Sequence, residues 1–207
     1  MTKPVLVLAS RNQGKVAEFE AGLAGLGLEI KSLMDFPPYP EVEEDGDTFT
    51  ANALKKARAA WAATGCPSLA DDSGLEVEVL GGAPGVHSHR FAGPEGDDAA
   101  NNALLLKKLQ GLPPKKRRAR FVSVLALVWG PDEELIVEGT CNGIILESPR
   151  GSGGFGYDPL FYLPEFGRTM AELTVEEKNK VSHRGQAIKR LRLVIEEMGV
   201  QRLQEPR

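Results

Sequence analysis

The hydrophobic pattern at the start of the chain predicts a strand, a polar turn and a helix. Residues 5–9 form a continuous apolar run, which is typical of a strand covered on both faces. Polar residues 10–15 follow, and apolar residues then recur at helical spacing from 16 to 26. Gly27 is suited to end this helix, and residues 29–32 return as a second strand. The chain therefore opens as an α/β unit.

Helices and strands continue to alternate through the middle of the chain. Asp47 is placed to cap a helix of apolar and small residues between 49 and 61. The strand that begins at Ser68 is expected to end at the polar segment 71–74, which alternating apolar residues follow. Residues 97–109 predict another helix.

Two long strands and a final helix complete the prediction. Residues 120–129 and 135–146 are strand-like and are separated by a Gly-Pro-Asp turn, which predicts an antiparallel pair. A last amphipathic helix starts at about Gln186. There is no internal repeat and no long linker, so residues 1–207 are expected to form a single α/β domain with a mixed sheet.

Composition and charge narrow the functional classes. The chain has 207 residues, of which 42% are hydrophobic and 26% are charged, as in ordinary soluble globular proteins. Its formal net charge of −4 argues against a dedicated nucleic-acid binder. Cys66 and Cys141 are far apart and form neither a disulfide framework nor a zinc site, so a reducing cytoplasm is the expected location. No segment has the length of a signal peptide or a membrane span, and no membrane partner is expected.

Residues 151–160 combine four glycines with two aromatic side chains and a carboxylate. Such a segment is unsuited to a helix and would weaken a strand. Glycine lets the backbone approach a flat ligand, and Phe155 and Tyr157 each offer a ring on which a base can stack, at ~1–3 kcal/mol per base. The alternative is a turn whose aromatic side chains cap the core.

The polar turn 10–15 is a candidate phosphate site. It precedes a predicted helix whose first N–H groups and dipole attract anions, and Ser10, Asn12 and Lys15 add side-chain donors. The turn is not a Walker A loop, which would require glycine at position 9 and Ser or Thr at position 16. The alternative is a solvated polar turn.

Carboxylates in two segments form a candidate metal site. Asp71 and Asp72 are adjacent, and residues 43–45 form a second acidic cluster. Adjacent carboxylates raise each other's pKa unless a cation or donors lie among them. Oxygen ligands of this type suit Mg²⁺, which binds one or two carboxylates together with substrate phosphates. The alternatives are a capped turn and a triad of Ser73, His183 and an aspartate, for which the chain lacks a GxSxG sequence.

Polar residues near the last helix supply further donors. Lys178, His183 and Arg184 can donate to phosphate or to the carbonyl oxygens of a base, although a solvated helix start is the alternative. Each candidate segment is ambiguous when taken alone. Together, an anion-binding turn, carboxylates for a hard metal, an aromatic slot and donors for an oxo-base describe a site for a nucleoside triphosphate.

Two other polar segments are assigned to the surface. Residues 115–118 and Arg120 form the most basic run, but no aromatic residues are interleaved with it, so we expect a solvated surface rather than an RNA site. His87 and His89 have no cysteine or further histidine nearby, and a metal site is not expected there.

The ordered set of segments resembles the inosine triphosphate pyrophosphatase family, which acts on non-canonical purine nucleoside triphosphates. The resemblance extends over nearly the whole chain. The matching segments are Ser10-x-Asn12-x-x-Lys15, Thr48-Phe49 with Asn52-Ala53, ADDSGL at 70–75, GGAPGV at 81–86, GGFGYDP at 153–159 and SHRG at 182–185.

This resemblance implies a fold, an activity and a set of site residues. The fold would be an elongated mixed β-sheet with flanking helices and two lobes around a central nucleotide cleft. The activity would be hydrolysis of ITP, dITP and XTP to the monophosphate and pyrophosphate, with Mg²⁺, by a homodimer. Asp72 would be the general base or a metal-bound carboxylate, and Glu44 a second metal ligand. The residues that would contact substrate are Ser10, Arg11, Asn12, Gln13, Gly14, Lys15, Ser73, Phe155, Gly156, Tyr157, Asp158, Lys178, His183 and Arg184.

The expected mechanism assigns roles to four of these positions and to one further lysine. Water attacks the α-phosphorus after Asp72 orients or deprotonates it. Lys15, and Lys56 on the second helix, stabilise charge on the departing pyrophosphate. Arg184 is the leading donor to the 6-oxo group, which explains rejection of ATP but not of GTP. Phe155 provides the stacking surface.

One position departs from the family pattern, and two other functions are alternatives. Ala51 stands where the family commonly has an acid, so that carboxylate is either missing or replaced by Asp45 or Asp47, and Mg²⁺ affinity is the property affected. A Maf-like pyrophosphatase acting on dTTP or UTP would carry Ser-Pro-Arg-Arg where residues 11–14 stand here. An RNA-binding module would instead use the basic run.

Overall fold

The computed structural model describes residues 3–40 and 42–204 and contains one seven-stranded sheet in the order β2-β1-β3-β4-β5-β6-β7. The strands are β1 (Val5–Leu8), β2 (Glu29–Ser32), β3 (Ser68–Val77), β4 (Arg118–Val128), β5 (Glu134–Ile145), β6 (Phe161–Leu163) and β7 (Arg168–Thr169). The helices are α1 (Gln13–Leu23), α2 (Phe49–Thr64), α3 (Asp98–Lys108), α4 (Val175–Val181) and α5 (His183–Met198). No helix in these two ranges is both long enough and apolar enough to cross a membrane.

The sheet is mixed, as predicted. β1 is parallel to β2 and β3, and all pairs from β3 to β7 are antiparallel. β1 pairs with β3 through Val7–Ser68 and Leu8–Leu69, whereas β3 continues along β4 as far as Val77. One edge of β3 therefore extends beyond the end of β1, beside the polar turn that leads into α1.

Helices cover both faces of the sheet. On one face, α1 and α5 pack with leucines of β1, β3 and β4 around Phe19, Leu125 and Ile188. On the opposite face, α2 brings Phe49 and small residues against β3 and β4. The small side chains of α2, such as Ala53, allow this close packing on the sheet. The α/β class is confirmed by this arrangement.

Three predicted boundaries were wrong. Residues 71–74 lie inside β3 rather than after it, because β4 pairs with the strand through this whole segment. Thr48, not Asp47, is the N-cap of α2, and its hydroxyl accepts from the Ala51 N–H at 3.1 Å. α5 begins at His183 rather than at Gln186, because Ser182 caps it.

Candidate active site

The two adjacent aspartates of β3 project onto opposite faces of the sheet. Successive side chains of a strand alternate between faces, so Asp71 shares a face with Leu69 and Asp72 shares a face with Ala70. Leu69 packs with α1 and α5, whereas Ala70 packs with α2. Cations and donors lie beside both carboxylates, which is the condition under which adjacent aspartates need not raise each other's pKa, and each has its own set of partners.

Asp71 lies in a buried network of cations and hydroxyl groups. Its Oδ2 is 2.7 Å from Lys15 Nζ and 3.0 Å from Arg184 Nη2, and it accepts a hydrogen bond from the Ser73 hydroxyl at 3.1 Å. Its Oδ1 accepts from the Ser123 hydroxyl at 2.7 Å. Burial alone would raise the pKa of Asp71, but Arg184 and Lys15 hold it well below its usual range. Asp71 is thus a charged, saturated carboxylate.

Glu18, which no sequence motif indicated, extends this network toward residues 151–160, the aromatic loop. Its carboxylate is 2.6 Å from both Lys178 Nζ and Arg184 Nη1, and it is only 2% exposed. Lys178 also contacts Asp158 Oδ2 at 2.9 Å. The available signal was its place one helical turn after Lys15, on the same side of α1.

Asp72, on the other face, is incompletely satisfied. Lys56 Nζ is 3.0 Å from Asp72 Oδ1, 3.2 Å from Glu44 Oε1 and 2.9 Å from the Asp71 carbonyl oxygen. The buried Asp72 Oδ2 has no hydrogen-bond partner among the residues that the structure describes. Burial, reinforced by Glu44 against the opposing effect of Lys56, raises the pKa of Asp72 to about 6. Burial also disfavours charge on Glu44, but Lys56 holds the pKa of Glu44 below its ordinary value.

The loop that carries Glu44 is held by side chains of α2 and of the segment after β3. Asn52 accepts from the Gly46 N–H at 2.8 Å and donates to its carbonyl oxygen at 3.4 Å. Arg90 donates to the Glu44 carbonyl oxygen at 2.7 Å. Asp45 pairs with Lys55 at 2.7 Å on the surface. These contacts fix the backbone of Glu44 beside Asp72.

The polar turn before α1 is organised by its own side chains. Asn12 Oδ1 accepts from the Lys15 N–H at 3.0 Å and caps the helix, and Ser10 Oγ accepts from the Asn12 N–H at 3.1 Å. Arg11 and Gln13 are exposed. The turn thus presents a helix start and exposed polar side chains next to Lys15, as an anion site requires.

The ring of Phe155 rests on this helix start. A Cβ added to Gly14 would lie 2.6 Å from Phe155 Cδ1, so only glycine allows the ring this close. Lys178 Nζ is 5.0 Å and Arg184 Cζ is 5.5 Å from the ring centroid, which are cation–π distances. The aromatic loop, the polar turn before α1 and the ion network therefore meet around Phe155.

Tyr157 does not offer a free ring face. Its side chain is buried in the core, and its hydroxyl donates to the Ser88 carbonyl oxygen at 2.8 Å. The expectation that both aromatic residues stack on a base was therefore wrong for Tyr157, which anchors the loop instead. Asp158 is also buried, and it accepts from the Phe155 N–H at 3.0 Å. Gly156 is half-buried between these anchors.

Arg184 has little capacity left for a ligand. Four of its five N–H groups are engaged, by Glu18, Asp71 and Ser73. The neighbouring His183 stacks on Phe121 with ring centroids 4.6 Å apart, and its Nδ1 has no hydrogen-bond partner in the described ranges. Burial and nearby cations lower the pKa of His183 well below its usual value, so the imidazole is neutral.

Ser73 belongs to the Asp71 network rather than to a serine triad, whereas the basic run makes contacts elsewhere. Ser73 bonds with Asp71 and Arg184, an arrangement that differs from a Ser–His–Asp triad. In the basic run, Arg117 is buried and donates to three backbone carbonyl groups, while Arg120 pairs with Glu76 at 2.6 Å. In the part of the chain that is described, no group of three or more His, Cys, Asp or Glu side chains could hold a metal ion.

The fold and these clusters define an α/β protein in which an acidic pair lies near the polar turn that leads into α1. A model of the Ham1 family matches residues 6–194. The dITP/XTP pyrophosphatase of Geobacillus kaustophilus is 54% identical over 186 residues, covering 90% of this chain and 91% of the relative. That of Geobacter sulfurreducens is 54% identical over 183 residues, covering 88% and 92%.

Solved structures agree with the sequence relatives. The HAM1 protein of Coxiella burnetii matches with a TM-score of 0.84 and 44% identity over 94% of this chain and 99% of that one. The dITP/XTP pyrophosphatase of Mycobacterium abscessus matches with a TM-score of 0.72 and 49% identity, over 90% and 97%. The chain belongs to the Ham1 family, which confirms the resemblance drawn from its motifs.

Proposed function

We propose that this protein hydrolyses the non-canonical purine nucleoside triphosphates ITP, dITP and XTP to the monophosphate and pyrophosphate. The observation that carries the proposal is the buried Asp72 Oδ2, which has no hydrogen-bond partner among the described residues and lies beside Glu44 and Lys56. This part of β3 adjoins the polar turn 10–15, the proposed phosphate turn. The names of the relatives, dITP/XTP pyrophosphatase, support the same substrate class.

Mg²⁺ is the proposed cofactor, held by Glu44 and Asp72. The residues fit this ion, because a buried carboxylate oxygen without a donor is the group that a cation would satisfy. Two carboxylates suffice for Mg²⁺, whose other ligands are commonly waters and substrate phosphates. When bound, the ion would offset charge on the triphosphate and lower the pKa of a bound water.

Asp72 is the proposed base, and two lysines stabilise the leaving group. Without a bound ion, burial and Glu44 raise the pKa of Asp72 to about 6 despite Lys56; Mg²⁺ held by the same carboxylate would lower that pKa, so the group would be ionised and able to accept a proton. Lys56 contacts Asp72, and Lys15 lies at the phosphate turn, where the substrate would share it with Asp71. Hydrolysis in ¹⁸O-labelled water is expected to label the monophosphate, since attack is at the α-phosphorus; label in pyrophosphate would contradict this.

The base would stack on Phe155, with polar groups nearby that read its edge. Lys178, His183 and the last free N–H of Arg184 are the candidate donors to the 6-oxo group, and Asp158 holds Lys178 in place. Donors left unpaired by a 6-amino base discriminate by about 10⁴–10⁵-fold. Arg184→Ala is expected to lower the ratio of ITP to ATP turnover; an unchanged ratio would remove Arg184 from this role.

The same proposal covers the organisation of the protein. The whole chain acts as one pyrophosphatase domain with its lobes on either side of the nucleotide cleft. It acts as a homodimer without a nucleic-acid or membrane partner. Its two free cysteines support a cytoplasmic location, because thiols stay reduced there.

A nucleotide panel tests the proposed function. Turnover of dITP, XTP, ATP, dTTP and UTP is measured with Mg²⁺ and with EDTA, and pyrophosphate is scored separately from orthophosphate. Pyrophosphate release from dITP and XTP that EDTA abolishes is the expected result. Preference for dTTP or UTP would favour a Maf-like activity, and release of orthophosphate would contradict the proposed reaction.

A further inference from the structure

Two side chains of helix α3 form hydrogen bonds with the backbone of Gly156, the residue directly after Phe155 in the aromatic loop. Asp98 Oδ2 accepts from the Gly156 N–H at 2.7 Å, and Asn102 Nδ2 donates to the Gly156 carbonyl oxygen at 2.9 Å. Asp98 and Asn102 are four residues apart and lie on the same side of the helix. The two peptide groups that flank Gly156 are therefore both held by one helix.

The carboxylate of Asp98 is not needed to cap α3. Asp97 is the N-cap, and its Oδ1 accepts from the Ala99 and Ala100 N–H groups at 2.8 and 3.1 Å. Asp98 is exposed, so its side chain contributes little packing to the core. The Asp98 carboxylate instead accepts the hydrogen bond from the Gly156 N–H of the aromatic loop.

The backbone on the other side of Phe155 is also fixed. The Phe155 N–H donates to Asp158 Oδ2 at 3.0 Å, and Tyr157 is anchored through its hydroxyl to Ser88. Gly156 has φ of +61°, a left-handed conformation that disfavours other residues. These contacts leave Phe155 one backbone position, from which its ring reaches Gly14 at the phosphate turn.

We propose that Asp98 and Asn102 are positioning residues, which set the distance between the Phe155 ring and the phosphate turn. Neither residue touches the reacting atoms. They act through the Gly156 backbone, so that base and triphosphate are bound at the correct separation. The kinetic part of this inference rests on the proposed function, whereas the structural part does not.

The structural part is tested by amide hydrogen exchange of a peptide covering residues 151–158. Asp98→Ala and Asn102→Ala are compared with Asp97→Asn, a matched control that removes the neighbouring charge from the same helix end, keeps an N-cap acceptor for α3 and alters no contact with the loop. Exchange is expected to speed up in the first two variants and to match the wild type in the control. Unchanged exchange in Asp98→Ala would overturn the proposal.

The kinetic part is tested by comparing ITP, which carries a base, with inorganic tripolyphosphate, which carries none. For Asp98→Ala we expect KM for ITP to rise about tenfold, the effect of one hydrogen bond to a charged group, with kcat within about twofold. Inhibition by inorganic tripolyphosphate, which has no base, is expected to stay unchanged. An equal rise of KM in Asp97→Asn, or equal weakening of inhibition by tripolyphosphate in Asp98→Ala, would overturn the positioning role.

The two readouts fail independently. If the wild type hydrolysed none of the purine triphosphates, the proposed function would be wrong, and hydrogen exchange would still decide whether α3 holds the loop. If the wild type hydrolysed ITP and exchange of the loop were unaffected in both variants, the function would stand and the positioning role would be wrong.

Discussion

Asp71 and Asp72 are neighbours in β3, but their environments differ in a way that separates two tasks. Asp71 faces α1 and α5, where Lys15, Arg184 and two hydroxyl groups satisfy both of its oxygens. Asp72 faces α2, where one oxygen meets Lys56 and the other has no partner in the described part of the chain. A saturated carboxylate fixes the geometry of its partners, whereas an unsatisfied buried carboxylate is suited to bind an ion or accept a proton.

The difference follows from strand geometry. An Asp-Asp pair in a loop would place two charges side by side, but in a strand the sheet lies between the two side chains. The chain thereby holds a saturated carboxylate and an incompletely satisfied one at adjacent positions of β3, with Lys15 and Lys56 on their respective faces.

The largest effect is expected for Asp72→Asn. This change keeps the size of the side chain but removes the proposed metal ligand and base, so turnover of ITP should fall about 10³-fold or more. The unfolding midpoint should stay the same or rise, because burial and Glu44 disfavour the ionised form of Asp72 despite Lys56, and Lys56 keeps Glu44 as a partner in the variant. Steady-state kinetics and thermal unfolding check both statements, and activity within about tenfold of the wild type would remove Asp72 from this role.

Asp71→Asn should act chiefly on stability. Removing one member of a buried ion network leaves Lys15 and Arg184 incompletely compensated, which typically costs about 3 kcal/mol or more. Urea unfolding at neutral pH measures this cost. A loss below about 1 kcal/mol would mean that Asp71 is as weakly coupled as an ordinary surface charge.

Glu18→Gln should lower stability by about 2 kcal/mol at pH 7, with a characteristic pH dependence. Burial disfavours charge on Glu18, but Arg184 and Lys178 hold its pKa below the ordinary 4.5. Because the folded pKa is the lower one, the stabilisation is present above the unfolded pKa and is lost as pH falls through the folded pKa. The difference in unfolding free energy between wild type and variant should therefore narrow as pH falls from 7 to 3, and a constant difference would argue against an ionised Glu18.

The smallest effect is expected at Ala51, on the Asp72 side. Thr48 already accepts from the Ala51 N–H, so glutamate or glutamine at this position would complete a capping box and stabilise α2 by about 0.5 kcal/mol. Only Ala51→Glu adds a charge near Gly46 in the acidic loop. A few-fold gain in Mg²⁺ affinity in Ala51→Glu but not in Ala51→Gln would show that the family's acid acts on the metal; equal effects would assign it to capping alone.

The sequence predicted most of the elements because their periodicity is strong. The predicted bounds were close to the observed ones for β1, for the long pair β4 and β5, and for α2. β3 was cut short because Asp-Asp-Ser-Gly is typical of a turn. Pairing with β4 through this segment outweighs that local preference.

Contacts between distant segments could not be predicted from single positions. Glu18 lies 166 residues from Arg184 in sequence, and nothing in the pattern of α1 distinguishes a buried ion pair from an exposed glutamate. Tyr157 carries the same aromatic signal as Phe155, but its hydroxyl reaches Ser88, and that contact turns its ring into the core. The motifs thus predicted which segments come together, while the different contacts of neighbouring side chains depend on the packing.

Binding of Mg²⁺ to Asp71→Asn and Asp72→Asn tests the separation of roles most directly. The titration is done by calorimetry with a non-hydrolysable ITP analogue present, so that it does not depend on turnover. We expect Asp72→Asn to weaken Mg²⁺ binding by about 100-fold or more, and Asp71→Asn to keep it within about tenfold of the wild type. Equal losses in the two variants, or a larger loss in Asp71→Asn, would contradict the assignment of the metal to the Asp72 face.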